Sequence, residues 1–367
     1  MGTNGKPQIK LVLAFDHELS LGGTSDYQRN LFEPTKALLD LADEAGVRVS
    51  LFTDVLSAIV HERWGVDEFT RPYRESIVDA TKRRHDVQLH LHPHWLTSQW
   101  QDARFKPSSD FALSDFAREK GGVRISDIVR LGAEYLRKLC LTADSSYQCV
   151  AFRAGGYNLA PNTDEILRAL YDNGIRIDSS IIKDYRFKSG LSTLDFSGMP
   201  SSANWFIAPG SPLRSAAPSG ILEVPIASSP RTPLNSIGFL ARRVMHQKRC
   251  YNNKGYGIHE QSTSRMEKLR RLFTNSSWPL SFDSYADTSK DAFAVFHSYV
   301  QAHRHERKIF CATVSHPKSM GSHARQIMRG FIDRVRDAYE GTCDFTTFPE
   351  IYNELLADGS RKQEVSA

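Results

Sequence analysis

At 367 residues the chain is long enough for one large α/β domain or two small ones, and its 40% hydrophobic and 24% charged content is that of an ordinary globular protein. A net charge of +5, from 47 basic and 42 acidic residues, is too mild for a nucleic-acid binder, and no dense Lys/Arg stripe accompanies it. Five scattered cysteines (Cys140, Cys149, Cys250, Cys311 and Cys343) form no C-x-x-C pair, which argues against a disulfide framework or structural zinc cluster and fits a reducing compartment. No apolar run reaches the roughly 18 residues a membrane span needs, and the polar opening Met1–Pro7 has no signal-peptide character, so a cytoplasmic location is expected.

The first predicted element is the apolar run 9–15, a buried strand that ends abruptly in Asp16-His17-Glu18. In an extended chain Asp16 and Glu18 project to one side and His17 to the other. Two carboxylates at a buried strand end are costly unless a cation offsets them, or unless one caps a loop and the other is solvated. A helix over 31–45 closes at Gly46, a strand follows at 47–52, and helical patterns cover 58–64 and 74–84. The strand 87–91 runs into His90, His92 and His94, whose alternation lets all three imidazoles share a face. Neutral imidazole is the commonest transition-metal ligand, although a histidine-rich surface loop has the same composition.

After a polar loop over 97–120 come a helix at 125–139, a strand at 149–152, a helix at 163–172 closed by Asn173-Gly174, and a strand at 175–177. This alternation predicts a parallel sheet or barrel. Residues 189–233 are rich in Gly, Ser and Pro around one strand at 222–226, and 234–273 reads as a basic, solvated helical insertion. The rhythm resumes with strand 278–282, helix 290–303, strand 309–314, helix 326–339 and strand 345–347. A polar tail without structure is predicted from Gly359.

Three more motifs sit at strand ends: Phe152-Arg-Ala-Gly-Gly-Tyr157, Ile177-Asp-Ser-Ser180 and Ala312-Thr-Val-Ser-His-Pro317. In parallel α/β barrels, chemistry is assembled from polar residues at the C-terminal strand ends. Singly, Arg153 reads as a salt bridge, Asp178 as a helix cap and His316 as a core histidine. Together with the carboxylates and histidines upstream, they form an ordered series. The series resembles the polysaccharide deacetylase family, the NodB-homology carbohydrate esterases, over about residues 9–350, and most closely the surface-glycan-biosynthesis type.

That resemblance implies a distorted (β/α)7-type barrel, one domain over 1–358 with a helical insertion at about 234–275, and a disordered tail over 359–367. It implies Asp16 as general base and Glu18, His90 and His94 as metal ligands, Glu18 standing where a subset of the family places its acidic ligand. It further implies Arg153 as the arginine orienting the base, His316 as general acid, and Asp178 as the carboxylate supporting that histidine. Gly156 supplies an oxyanion-binding N–H, with Tyr157 displaced by one. The implied cofactor is a divalent metal, zinc before cobalt, nickel or manganese. The implied activity is removal of an N-acetyl group from an amino sugar or glycan precursor, nucleotide- or lipid-linked. Two rivals use the same scaffold: an amidase of another C–N bond, such as a formamido sugar, cyclic amide or ureide, and a non-catalytic glycan-binding relative. Trp95, Trp100, Tyr157 and Trp205 are candidates for stacking on a sugar, against the commoner fate of core packing.

Overall fold

The structure is a computed structural model that describes residues 6–20, 26–101, 104–188, 192–232, 235, 237, 238, 241 and 277–365. The basic helical insertion expected at about 234–275 lies almost wholly outside the described residues. Among the described residues, no helix is long and apolar enough to cross a membrane.

The first strand is interrupted at Leu13 into Gln8–Val12 and Ala14–His17. Its second half pairs in parallel with Ser50–Asp54, which pairs with Asp86–Leu91, then Ala151–Ala154, Ile177–Asp178 and Ile221–Glu223. Parallel bridging of Ile226 to Ala312 leads to the strand Lys308–Ala312, which pairs in parallel with Gln8–Val12. The parallel sheet therefore closes on itself as a distorted α/β barrel, as the alternation predicts. Amphipathic helices, among them Glu33–Glu44, Asp67–Lys82, Ile125–Cys140, Thr163–Asp172 and Ser322–Ala338, supply the outer layer.

Two apolar clusters divide the strands by their period of two. Val12, Ala14, Phe52, Ala151, Ile177, Leu222, Val224, Phe310 and Ala312 fill the barrel interior, with Phe348 and Ile351 of the C-terminal helix packed against them. Leu11, Leu13, Phe15, Leu51, Val87, Leu89, Leu91 and Phe152 point outward into the helix layer. This parity decides where each functional side chain goes. Asp16 continues the inward series of Val12 and Ala14, and Arg153 that of Ala151. Asp178 follows inward-facing Ile177 and so faces out.

The helix expected at 74–84 spans Asp67–Lys82, beginning about two turns earlier. The 97–120 loop contains a short hairpin, Gln99–Gln101 with Arg104–Lys106. The last helix spans Phe348–Val365 and so runs into the stretch from Gly359 that the sequence reads as an irregular tail.

Candidate active site

Asp16 and Glu18 lie at the C-terminal mouth of the barrel, 3% and 7% exposed. Both face His316, whose Nε2 is 3.9 Å from Asp16 Oδ2 and 3.8 Å from Glu18 Oε1. His17 points the other way, as the alternation requires. Its ring lies 5.8 Å from that of Tyr73, and burial lowers its pKa to about 3, so it is neutral.

Arg153 is wholly buried and holds Asp16 through an Nη1–Oδ1 bond of 2.7 Å. Nε donates to the Ser179 carbonyl (2.8 Å), and Nη2 to the Ser179 hydroxyl (3.1 Å) and the Thr313 carbonyl (3.1 Å). The guanidinium also lies over the Phe52 ring at 4.4 Å. A charge so enclosed is tolerable because each edge of the fork has an acceptor.

His90 Nδ1 sits 2.7 Å from the Arg153 carbonyl oxygen, which only accepts, so Nδ1 carries the proton. That leaves Nε2 of the neutral ring with a lone pair, aimed at Glu18 Oε2 (3.0 Å) and at His92 Nε2 (3.1 Å). His92 Nε2 also meets Glu18 Oε2. Two imidazole nitrogens and a carboxylate oxygen thus converge, and Glu18, His90 and His92 form a group able to hold one metal ion. The donor set fits a divalent ion of the zinc type, which relieves the lone-pair opposition. Burial opposes charge on Glu18, but Lys318 and His92 beside it hold its carboxyl well below the usual range. Burial likewise opposes charge on His90, and Glu18 and Asp16 outweigh it, raising its pKa.

The structure does not gather all three residues expected to hold a metal. His94 does not join Glu18 and His90; His92 does. The strand Asp86–Leu91 stays extended just far enough to put His92 on the face of His90. The backbone then turns at Pro93 (φ −60°, ψ −22°) into the short helix His94–Thr97. The His94 ring is carried onto Phe111, with centroids 4.7 Å apart, and neither of its nitrogens has a hydrogen-bond partner. Burial holds it far below the ordinary imidazole pKa.

Two features that sequence reasoning missed fix the His92 turn. Asp54, at the end of the neighbouring strand Ser50–Asp54, accepts from the His92 N–H at 3.2 Å and from the Trp95 indole at 2.7 Å. Gly155 leaves the space the ring needs, since a Cβ there would stand 2.9 Å from His92 Nδ1. Trp95 and Trp205 are 1% and 3% exposed, so both serve the core rather than a sugar face.

The second correction concerns the partner of His316. Asp178 faces outward, where it stands in register with Glu223, and its oxygens accept from the Ser180 hydroxyl (2.9 Å) and N–H (3.0 Å). Burial raises both carboxyls of this pair, and on Glu223 the charge of Asp178 adds to the effect. The partner of His316 is instead Asp283: its Oδ2 lies 3.0 Å from Nδ1 and accepts the His316 N–H at 2.9 Å. Burial works against charge on both, yet their mutual attraction prevails, raising His316 and lowering Asp283. The signal in the sequence was the run Trp278–Phe282 ending in Asp283, the same apolar-to-acidic break that marks Asp16.

Gly156 and Tyr157 follow Arg153 in left-handed conformations, φ 57° and 61°. Such a conformation is uncommon for tyrosine, and strain of this kind concentrates at functional sites. Lys318, two residues after His316, bonds Glu18 Oε1 at 2.7 Å and was not picked out from the sequence.

No family model matches the chain, and no curated protein sequence does. Among solved structures, a protein described as a polysaccharide deacetylase from Mycobacterium smegmatis aligns with TM-score 0.50 at 12% identity, covering 98% of this chain and 94% of its own. A protein described as a polysaccharide deacetylase from Pseudomonas aeruginosa PAO1 gives TM-score 0.46 at 12% identity, over 95% and 93%. Puue allantoinase gives 0.47 at 12% identity, over 97% and 92%. At such identities the likeness is one of fold, and the chain shares the barrel of the Mycobacterium smegmatis protein along nearly its whole length.

Proposed function

We propose that the protein is a metal-dependent hydrolase that removes the N-acetyl group of an amino sugar or glycan precursor. The observation that carries this reading is the position of Asp16, held by Arg153 on one oxygen and faced by His316 on the other, beside the Glu18–His90–His92 cradle. Those three residues would hold the ion, zinc before cobalt, nickel or manganese. When bound, such an ion polarises the acetyl carbonyl and makes water more acidic.

The rest falls to the side chains. Asp16, with one oxygen fixed by Arg153, takes the proton of the attacking water through the other. Backbone N–H groups around Gly156 and Tyr157 steady the tetrahedral oxyanion. His316, kept protonated by Asp283 rather than Asp178, protonates the departing amine, and acetate leaves with a free amino sugar. Together these support amide hydrolysis over plain glycan binding, because a binding relative needs neither an oriented base nor a raised acid. The test is acetate release from a panel of N-acetylated amino sugars, free and nucleotide-linked. Wild-type turnover lost in Asp16→Asn supports the assignment; full turnover in that variant refutes it.

A further inference from the structure

Glu18 divides its carboxylate between two kinds of partner. Oε2 faces His90 and His92, while Oε1 accepts from the Lys318 ammonium at 2.7 Å. That ammonium also donates to the Leu19 carbonyl at 3.2 Å, and its side chain is only 13% exposed. The turn Pro317–Ser319 puts it there: Ser319 N–H bonds the His316 carbonyl at 2.8 Å and Met320 N–H bonds the Pro317 carbonyl at 2.9 Å.

The hydrolytic steps above do not call on this lysine, since the base has Arg153 and the acid has Asp283. Its effect is electrostatic. Arg153 balances Asp16 and Lys318 balances Glu18, so the carboxylates are already compensated before a dication enters. An ion sharing Glu18 with the ammonium meets a like charge one carboxylate away, in a buried place that solvent screens poorly. A carboxylate with Oε1 so engaged also offers Oε2 alone to a metal.

We propose that Lys318 is a positioning residue that confines Glu18 to one-oxygen ligation and weakens the grip of the site on a divalent ion, making the ion exchangeable. This rests on the metal reading of Glu18, His90 and His92. The ammonium is anchored by Leu19 as well as by Glu18, so it stays in place when Oε2 takes up the ion.

The experiment is a zinc titration of metal-free protein against a chromophoric chelator, without substrate, on wild type, Lys318→Met, Lys318→Arg and His90→Ala. Lys318→Met is expected to bind zinc roughly tenfold tighter than wild type. Lys318→Arg should stay close to wild type, and added zinc should raise the melting temperature of the Met variant by more. If Lys318→Met does not fold, Lys318→Gln, which keeps a donor without the charge, carries the same expectation. Equal or weaker binding in the neutral variant, with one zinc equivalent still abolished by His90→Ala, overturns the role of Lys318 and leaves the metal site standing. Absence of any equivalent that His90→Ala removes, in wild type and neutral variant alike, overturns the metal reading itself.

Discussion

His316 and Asp283 are joined twice, ring nitrogen and backbone N–H both meeting the same carboxylate oxygen at 3.0 and 2.9 Å. The pairing raises the imidazole above its ordinary 6.5, so the proton needed by the leaving amine is held to higher pH than a free imidazole would hold it. Asp283→Asn should cut turnover by about 10²-fold. It should also move the alkaline limb of the pH–rate profile downward, because the charge that raises His316 is gone. Asp178→Asn should leave that limb in place. Steady-state rates across pH for both variants check this.

Arg153 is the most enclosed charge in the site, and its loss leaves the buried Asp16 carboxylate without its hydrogen-bonded counter-ion. Arg153→Gln should destabilise the fold by about 3–5 kcal/mol, measured by denaturant unfolding. Arg153→Lys should recover part of that stability but little activity, since one ammonium cannot reach Asp16, Ser179 and Thr313 together.

Zinc stoichiometry separates the two histidines that compete for the third metal position. His92→Ala should lose the bound equivalent. His94→Phe should keep it, with stability unchanged or slightly improved, because both His94 nitrogens lack partners and its ring already packs on Phe111.

The Asp178–Glu223 pair predicts a pH dependence of stability away from the site. Burial, followed by the charge of Asp178, raises Glu223 well above 4.5, so the folded chain keeps a proton that the unfolded chain releases. The stabilisation is therefore complete below 4.5 and is lost as pH rises toward the folded value. Glu223→Gln removes the titration, and its melting temperature should fall less than that of wild type between about pH 5 and 8. Parallel thermal melts across that range decide it.

The barrel was legible because each strand is a short apolar run followed by a helical pattern, and Asp16 with Glu18 was legible from the period of two alone. His92 is legible from that same period, but the family resemblance implies His94 instead. Only the turn at Pro93, which ends the alternation one residue after His92, reverses that choice. Asp178 was assigned by its order among strand-end motifs. Its strand parity excludes it from the interior, and parity is readable only once Ile177 is known to point inward. Asp283 is marked in the sequence only by the apolar run before it, and Lys318 by nothing local; their meetings with His316 and Glu18 form only when distant segments come together as the barrel closes.

The most direct test of the account is acetate release from an N-acetylated amino sugar by one preparation of wild-type protein, measured as purified, after chelation, and after zinc is restored. Turnover that disappears on chelation and returns with zinc is the predicted result. Undiminished turnover in protein verified to be metal-free would contradict it.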